Sequence, residues 1–237
     1  MDGMIDTHCH LLPGVDDGCK SVDESIACAR LLVGAGYSRA VCTPHIWSSL
    51  RHNTRDEIPR RVAALQRAYD DAGVALRLYP GGEHNLTELR GVADARDLIT
   101  YNLAGRHVIA DVWADEFPAY AWDRVRWMQD AGLTVILAHP ERMRPVQEDP
   151  GLIDLLVKAG VLLQGNLQCF GDPDGSPTRT TAERLLRERR YFMLGSDTHN
   201  LATMPVRLSG LEMARALAGD ELMRELTVEN PNLLVDS

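Results

Sequence analysis

The chain has 237 residues, 45% of them hydrophobic and 25% charged, which suits a globular protein able to bury a real core. Its formal net charge is −9 and Lys20 and Lys158 are its only lysines, so generic attraction to a phosphate backbone is excluded and no nucleic-acid partner is expected. An acidic start without an apolar run, no stretch of membrane-spanning length, and five scattered cysteines predict a cytoplasmic protein with free thiols and no membrane insertion.

Taken in chain order, a short strand over 4–6 runs into His8 and His10, and Val15-Asp16-Asp17-Gly18 follows. Ser21-Val22-Asp23-Glu24 has the form of a capping box, in which hydroxyl and carboxylate satisfy orphan backbone donors at a helix start. That helix closes at Ala35-Gly36, where glycine supplies the left-handed conformation after a last turn. A strand over 38–43 then leads to His45. Thr54-Arg55-Asp56-Glu57 opens the next helix, Ala72-Gly73 ends it, and a strand over 74–79 leads to Glu83. A strand over 107–110 precedes Asp111. Helix 120–131, closed by Ala131-Gly132, precedes strand 133–138 and His139. Helix 152–159, closed by Ala159-Gly160, precedes strand 161–164, which carries Gln164 and leads to Asn166. Residues 172–179 read as a surface loop, and helix 180–189 precedes strand 191–194, Asp197 and His199. A last helix is predicted over 207–217.

The strand candidates are continuous apolar runs rather than alternating ones, as expected of parallel strands covered on both faces. Positions 8, 45, 83, 111, 139, 166 and 197 are each separated by about one strand–helix unit. Barrels gather the C-terminal ends of their parallel strands on one face, so these polar residues are expected to converge there. An isolated His-x-His is a weak signal. Five of the eight histidines at strand ends form a pattern, whereas His52, His84 and His107 are read as loop, second-layer and structural residues. Imidazoles mixed with carboxylates suit zinc, manganese or iron, and so many ligands predict two or three divalent ions, with Glu83 as a bridge. Chain 1–237 is read as one domain, because no linker interrupts it.

Ile5-Asp6-Thr7-His8-Cys9-His10, Asp16-Asp17-Gly18, Thr43-Pro44-His45, Gly82-Glu83, Ala138-His139-Pro140-Glu141-Arg142 and Gly195-Ser196-Asp197-Thr198-His199-Asn200 together resemble the polymerase-and-histidinol-phosphatase (PHP) family. Within it, the Asp-Asp-Gly and Ser-Asp-x-His-Asn elements are similar to the manganese-dependent tyrosine phosphatases of capsular and exopolysaccharide loci, and Glu229-Asn230-Pro231 is similar to their last helix. The resemblance implies a distorted seven-stranded (β/α)7 PHP barrel with three ions. His8, His10, Glu83 and Asp197 would hold the first, Glu83, Asp111 and His139 the second, and Asp17, His45 and His199 the third. The family commonly has Glu where this chain has Asp111, and arginine where it has Met204. Arg142 keeps one family arginine, and Arg207 lies close enough to stand in for the other as a substrate contact. Arg142, Asp197 and His199 are the candidate catalytic residues.

The implied reaction is hydrolysis of a phosphomonoester by a metal-activated water, with phosphotyrosine on a capsule-regulating autokinase as substrate. No cysteine has an arginine six residues on, so the thiol-dependent phosphatase loop is absent. Three rivals are a histidinol-phosphatase-like enzyme, a TatD-like nuclease, which Asp6-Thr7-His8-Cys9-His10-Leu11 also suits, and a degenerate metal-binding scaffold that works by protein contact. Trp47 and Trp113 are candidates for the site mouth, and segments 46–51 and 113–119 for its rim. The sequence leaves a homo-oligomer possible.

Overall fold

A computed structural model describes residues 3–89, 92–113 and 117–236. Parallel strands alternate with helices along the chain: β1 (Met4–Cys9), α1 (Val22–Gly34), β2 (Tyr37–Cys42), β3 (His45–Ile46), α2 (Glu57–Asp71), β4 (Arg77–Pro80) and β5 (Glu83–Asn85) come first. They are followed by β6 (His107–Asp111), α3 (Ala119–Asp130), β7 (Thr134–Ala138), α4 (Arg144–Glu148), α5 (Gly151–Lys158) and β8 (Leu162–Asn166). The last elements are α6 (Leu167–Gly171), α7 (Pro177–Arg187), β9 (Met193–Gly195), α8 (Met204–Arg224) and, after a π-helical turn, α9 (Asn230–Val235).

The strands form two parallel sheets, β1-β2-β4 and β3-β5-β6-β7-β8-β9. The backbone passes from one sheet to the other twice, across Thr43-Pro44 and across Gly81-Gly82. Proline has no N–H to give a ladder, which is why the pairing of β2 is not carried through to β3. The free edge of β9 meets the end of β1 through a Cys9–Thr198 bridge, with Asp197 N–H donating to His8 O at 2.7 Å and His10 N–H to Thr198 O at 2.8 Å. The result is an α/β fold with a curled parallel sheet.

Alternation along the strands sorts their side chains into two cores. Val108, Ala110, Val135 and Leu137 pack outward against the helices, while Ile109, Ile136 and Ala138 join Ile5, Val41 and Met193 inside the curl. β1 departs from this rule. Ile5 packs in the inner cluster and Cys9, four residues on, in the outer one, and the pairing with β2 is irregular between Asp6 and Cys9. A bulge of this kind re-aims the side chains beyond it.

The helix signals have mixed fates. Ser21 Oγ accepts from Glu24 N–H at 3.2 Å, but the Glu24 carboxylate takes Lys20 N–H and Leu201 N–H, tying α1 to the segment after β9. Strand β4 starts three residues later than the expected 74–79, because Val74 N–H is still bonded to Tyr69 O at the helix end. Residues 177–179, expected in a loop, form the first turn of α7: Ser176 caps it and Pro177 opens it. The last long helix runs from Met204 rather than 207 and continues past Gly219, whose φ of 74° kinks it. Segment 113–119 lies partly outside the described residues.

Candidate metal centre

The site is built on strand ends and on residues just past them. Five histidines, three aspartates and Glu83 from the sequence pattern stand around one cavity of about 350 Å³, either in its wall or immediately beneath it. Asp17, His45, Asp111, His139, Asp197 and His199 line the cavity, and His8, His10 and Glu83 form its buried floor.

In that floor, His8 Nε2 and His10 Nε2 stand 3.2 Å apart. Each is 3.4–3.5 Å from Glu83 Oε2 and 3.3–3.5 Å from Asp197 Oδ1. Four ligands held about 2.1 Å from one ion at tetrahedral angles would be about 3.4 Å apart, so these spacings match the edges of a coordination shell. The orientation of each imidazole is set from behind. His8 Nδ1 lies 2.8 Å from Gln164 Oε1, which can only accept, so Nδ1 carries the proton and Nε2 presents a lone pair. His10 Nδ1 is held in the same way by Asp16 Oδ2 at 2.7 Å, and His199 Nδ1 by Asp197 O at 2.8 Å. Carboxylate or carbonyl partners behind a histidine are what fix it for a metal.

The unpaired atoms give an independent test of fit. Glu83 Oε2, His45 Nδ1 and Asp111 Oδ2 are buried with no hydrogen-bond partner. His45 Nδ1 is nonetheless 2.9 Å from Glu83 Oε2. A contact that close without hydrogen-bond alignment is what two ligand atoms aimed at a shared third centre would show. Glu83 Oε1 accepts from or faces His139 Nε2 at 3.0 Å, so its two oxygens face four imidazoles, which suits a bridging carboxylate. A further group comprises His10, Asp17, His45 and His199, with Asp17 Oδ1 at 3.4 Å from both His45 Nε2 and His199 Nε2. Asp111 stands apart from these groups. Its Oδ1 accepts from Asn85 Nδ2 at 2.9 Å, and only Oδ2 remains for the cavity.

The electrostatics have the same sense. Burial disfavours a charged His8, yet Glu83 and then Asp197 raise its pKa to about 9. Burial alone would raise Glu83 and Asp197, but the surrounding histidines hold both well below the ordinary carboxylate range. Asp111 is pushed well up by burial and by Glu83. A cage with this excess of carboxylate calls for positive charge, which either protons or cations can supply.

Two of the site residues have left-handed backbones, His139 at φ 35° and Asp197 at φ 52°. Such conformations cost about 1–3 kcal/mol and persist only where neighbours over-determine them. At Asp197 the neighbours are plain: its carbonyl accepts from Arg207 Nε and Nη2 and from His199, and its Oδ2 accepts from Asn166 Nδ2 at 2.7 Å and Arg142 Nη1 at 3.2 Å. Arg207 therefore holds the Ser196–Asp197 main chain while also lining the cavity, and Met204 is buried, taking the Thr198 hydroxyl on its sulfur. Gly195 allows this approach, since a Cβ there would stand 2.7 Å from His8 Cβ.

Sequence reasoning named Asp16 and Glu141 within motifs but gave neither a role: not to Asp16 in fixing His10, nor to Glu141. Glu141 is wholly buried, accepting from Asn166 N–H and the Tyr191 hydroxyl, and burial lifts its pKa to about 7. Asp16 sits inside the quoted Asp-Asp-Gly, but nothing in the linear pattern says which aspartate faces the metal side. The remaining histidines lie elsewhere: His84 bonds to Ile99, His107 starts β6, and His52 is exposed. The indole of Trp47 stacks on His45, with centroids 4.1 Å apart, and Trp113 stands edge-on to Trp47 at the cavity wall. Trp122 and Trp127 pack against the helix-side core. All five cysteines are free and buried. No helix among the described residues is long and apolar enough to cross a membrane.

Comparison with known proteins agrees with this site. The chain is 29% identical to the tyrosine-protein phosphatase YwqE of Bacillus subtilis over 234 residues, covering 98% of this chain and 91% of YwqE. It is 25% identical to CapC of Staphylococcus aureus over 216 residues, covering 90% and 84%, and 22% identical to the tyrosine-protein phosphatase CpsB of Streptococcus pneumoniae over 244 residues, covering 98% of each. A crystal structure from the pair YwqE of Bacillus subtilis and CpsB of Streptococcus pneumoniae, described as metal-dependent tyrosine phosphatases, superposes with a TM-score of 0.88 at 28% identity, covering 98% of this chain and 94% of the other. The lactonase Lmo2620 of Listeria monocytogenes shares the fold alone, with a TM-score of 0.62 at 10% identity and coverage of 98% and 94%. Residues 4–236 match the family described as capsular polysaccharide synthesis, CpsB/CapC, and the chain belongs to that family.

Proposed function

We propose that this chain is a metal-dependent protein-tyrosine phosphatase that removes phosphate from an autokinase of capsule or exopolysaccharide synthesis. The observation that carries the proposal is the His8–His10–Glu83–Asp197 cage beneath a cavity that also presents Arg142 and Trp113. The 29% identity to YwqE over nearly the whole chain supports the substrate class.

The strand pattern supports a single seven-stranded barrel, with β2 and β3 counted as one interrupted strand and β4 and β5 as another. Residues 1–237 would form that one unit, located in the cytoplasm. Two or three divalent ions would be held, manganese foremost. His8, His10, Glu83 and Asp197 would hold one, Glu83 and His139 with His8 or Asp111 another, and Asp17, His45 and His199 a third. Bound there, divalent ions supply charge neutralisation at phosphoryl oxygens and lower the pKa of water.

The protein's own groups do the rest. Arg142 is about half-exposed and spends one N–H on Asp197, so the remainder of its fork faces the cavity and can take phosphoryl oxygens. Arg207 acts as a positioning residue, because its guanidinium holds the Asp197 carbonyl. Trp113 gives an aromatic wall to the cavity mouth, which suits a phenyl ring. A phenolate leaving group, with a pKa of about 10, needs less protonation than an alkoxide, so aryl esters make the smaller demand on the site's acids.

Protein reconstituted with manganese should hydrolyse a phosphotyrosine peptide and leave histidinol phosphate and single-stranded DNA intact, with two or three metal ions per chain by elemental analysis. Turnover of histidinol phosphate or DNA without turnover of the peptide would replace this reading.

A further inference from the structure

Strands β3 and β5 lie side by side in parallel register, His45 opposite Glu83 and Ile46 opposite His84. Successive side chains point to opposite faces of a strand. His45 and Glu83 therefore serve the metal cage, and Ile46 and His84 line a second concavity behind them. This groove, of about 590 Å³, is larger than the catalytic cavity, and most of its wall is apolar: Ile46, Leu89, Val92, Leu98 and Ile99. Trp47 joins the two spaces, because its indole stacks on His45 while it also lines the groove.

The wall holds unspent hydrogen-bonding capacity. His84 Nε2 lies 3.1 Å from Ile99 N and 3.2 Å from Ile99 O, so either ring tautomer finds a backbone partner there and Nδ1 is left over. Neither His84 Nδ1 nor Trp47 Nε1 has a partner, although His84 is 2% exposed. The indole N–H of Trp47 is a donor in every state, and buried donors without acceptors are rare in native proteins. The acceptor most abundant in a peptide is its backbone carbonyl. The charged residues of the groove narrow the choice of side chain. Glu88 and Asp97 line it, while the Arg55 guanidinium is committed to the carbonyls of Arg96 and Leu98. Two carboxylates against one guanidinium leave the groove net negative, which disfavours an acidic segment.

We propose that this groove binds the stretch of substrate chain beside the phosphotyrosine, taking apolar side chains against Ile46, Leu89 and Leu98 while Trp47 separates them from the aryl phosphate in the cavity. The proposal rests on the phosphatase reading above and adds to it a preference for apolar over acidic flanking sequence. The two spaces adjoin at one indole, which packs on His45 and Trp113 of the cavity wall, and that adjacency suits a single extended ligand.

Three phosphotyrosine peptides, identical except for Leu, Gly or Glu at the two positions on each side of the phosphotyrosine, test the groove with the manganese-loaded protein. The Leu peptide should exceed the Gly peptide in kcat/KM by about tenfold, as expected for burying one or two aliphatic side chains, and the Glu peptide should fall below both. Ala93 is exposed on the groove's edge, so Ala93→Trp fills the groove from the rim. In this variant the ratio of Leu-peptide to p-nitrophenyl phosphate kcat/KM should fall about tenfold. Equal kcat/KM for the Leu and Gly peptides in the unaltered protein overturns the proposal, as does an unchanged ratio in Ala93→Trp. Fluorescence anisotropy of the labelled unphosphorylated peptides reports the same ranking as binding. A protein with no turnover but tighter binding of the Leu peptide would sink the phosphatase reading and keep the groove. A protein that turns over all three peptides alike would do the reverse.

Discussion

Ile5, Ile109, Ile136 and Met193 fill the inside of the curled sheet, and farther along the same strands or just past their ends stand His8, Asp111, His139 and Asp197. The first set is apolar, wholly buried and held by packing alone. The second is also buried but polar, and it is held by hydrogen bonds with Gln164, Asn85, Glu83 and Asn166. One layer gains stability from being dry and featureless. The other gives stability up, through left-handed backbones at His139 and Asp197 and unpaired atoms at Glu83 and Asp111, to keep ligand atoms aimed at common points. The comparison shows how one set of strands can carry both structure and chemistry, with the changeover at the strand ends.

The comparison can be broken at three points. Asp197→Ala removes a member of the cage and the anchor of Arg142. It should lower kcat/KM for p-nitrophenyl phosphate at least about 10³-fold, roughly 4 kcal/mol, with a cooperative melt retained by circular dichroism. Activity within tenfold of the parent would remove Asp197 from the mechanism. Ile136→Ala, in the apolar layer, should cost about 2–5 kcal/mol in urea unfolding and leave metal-loaded kcat within a few-fold. If its activity falls as far as that of Asp197→Ala, the two layers are not separable. Asp16→Asn keeps the shape but replaces the carboxylate behind His10 Nδ1. A roughly 10–100-fold loss of metal affinity is expected, with turnover restored by excess metal, and a titration of activity against manganese decides it.

Much of this was legible before any coordinates. Buried parallel strands leave continuous apolar runs, glycine closes helices, and ligands fall at intervals of one strand–helix unit, so the positions from His8 to His199 could be read in order. The interruptions were less legible. The expected strands over 38–43 and 74–79 stop at Thr43-Pro44 and before Gly81-Gly82. The short strands beyond, His45–Ile46 and Glu83–Asn85, were not foreseen, because two or three residues are too few to show a periodicity; nine short strands result among the described residues. Segment 177–179 was misjudged because proline and serine mark a helix start as readily as a loop.

Sequence alone determined which residue types stand at the strand ends, and therefore the kind of chemistry available, since composition and spacing are local properties of the chain. The tertiary structure decided which of those residues face one another. The bulge in β1 aims His8 and His10 inward, Asp16 rather than Asp17 turns back to fix an imidazole, and Arg207 is drawn onto the Asp197 carbonyl. Those outcomes depend on backbone direction and on which side chain turns toward which partner, and no linear pattern records either.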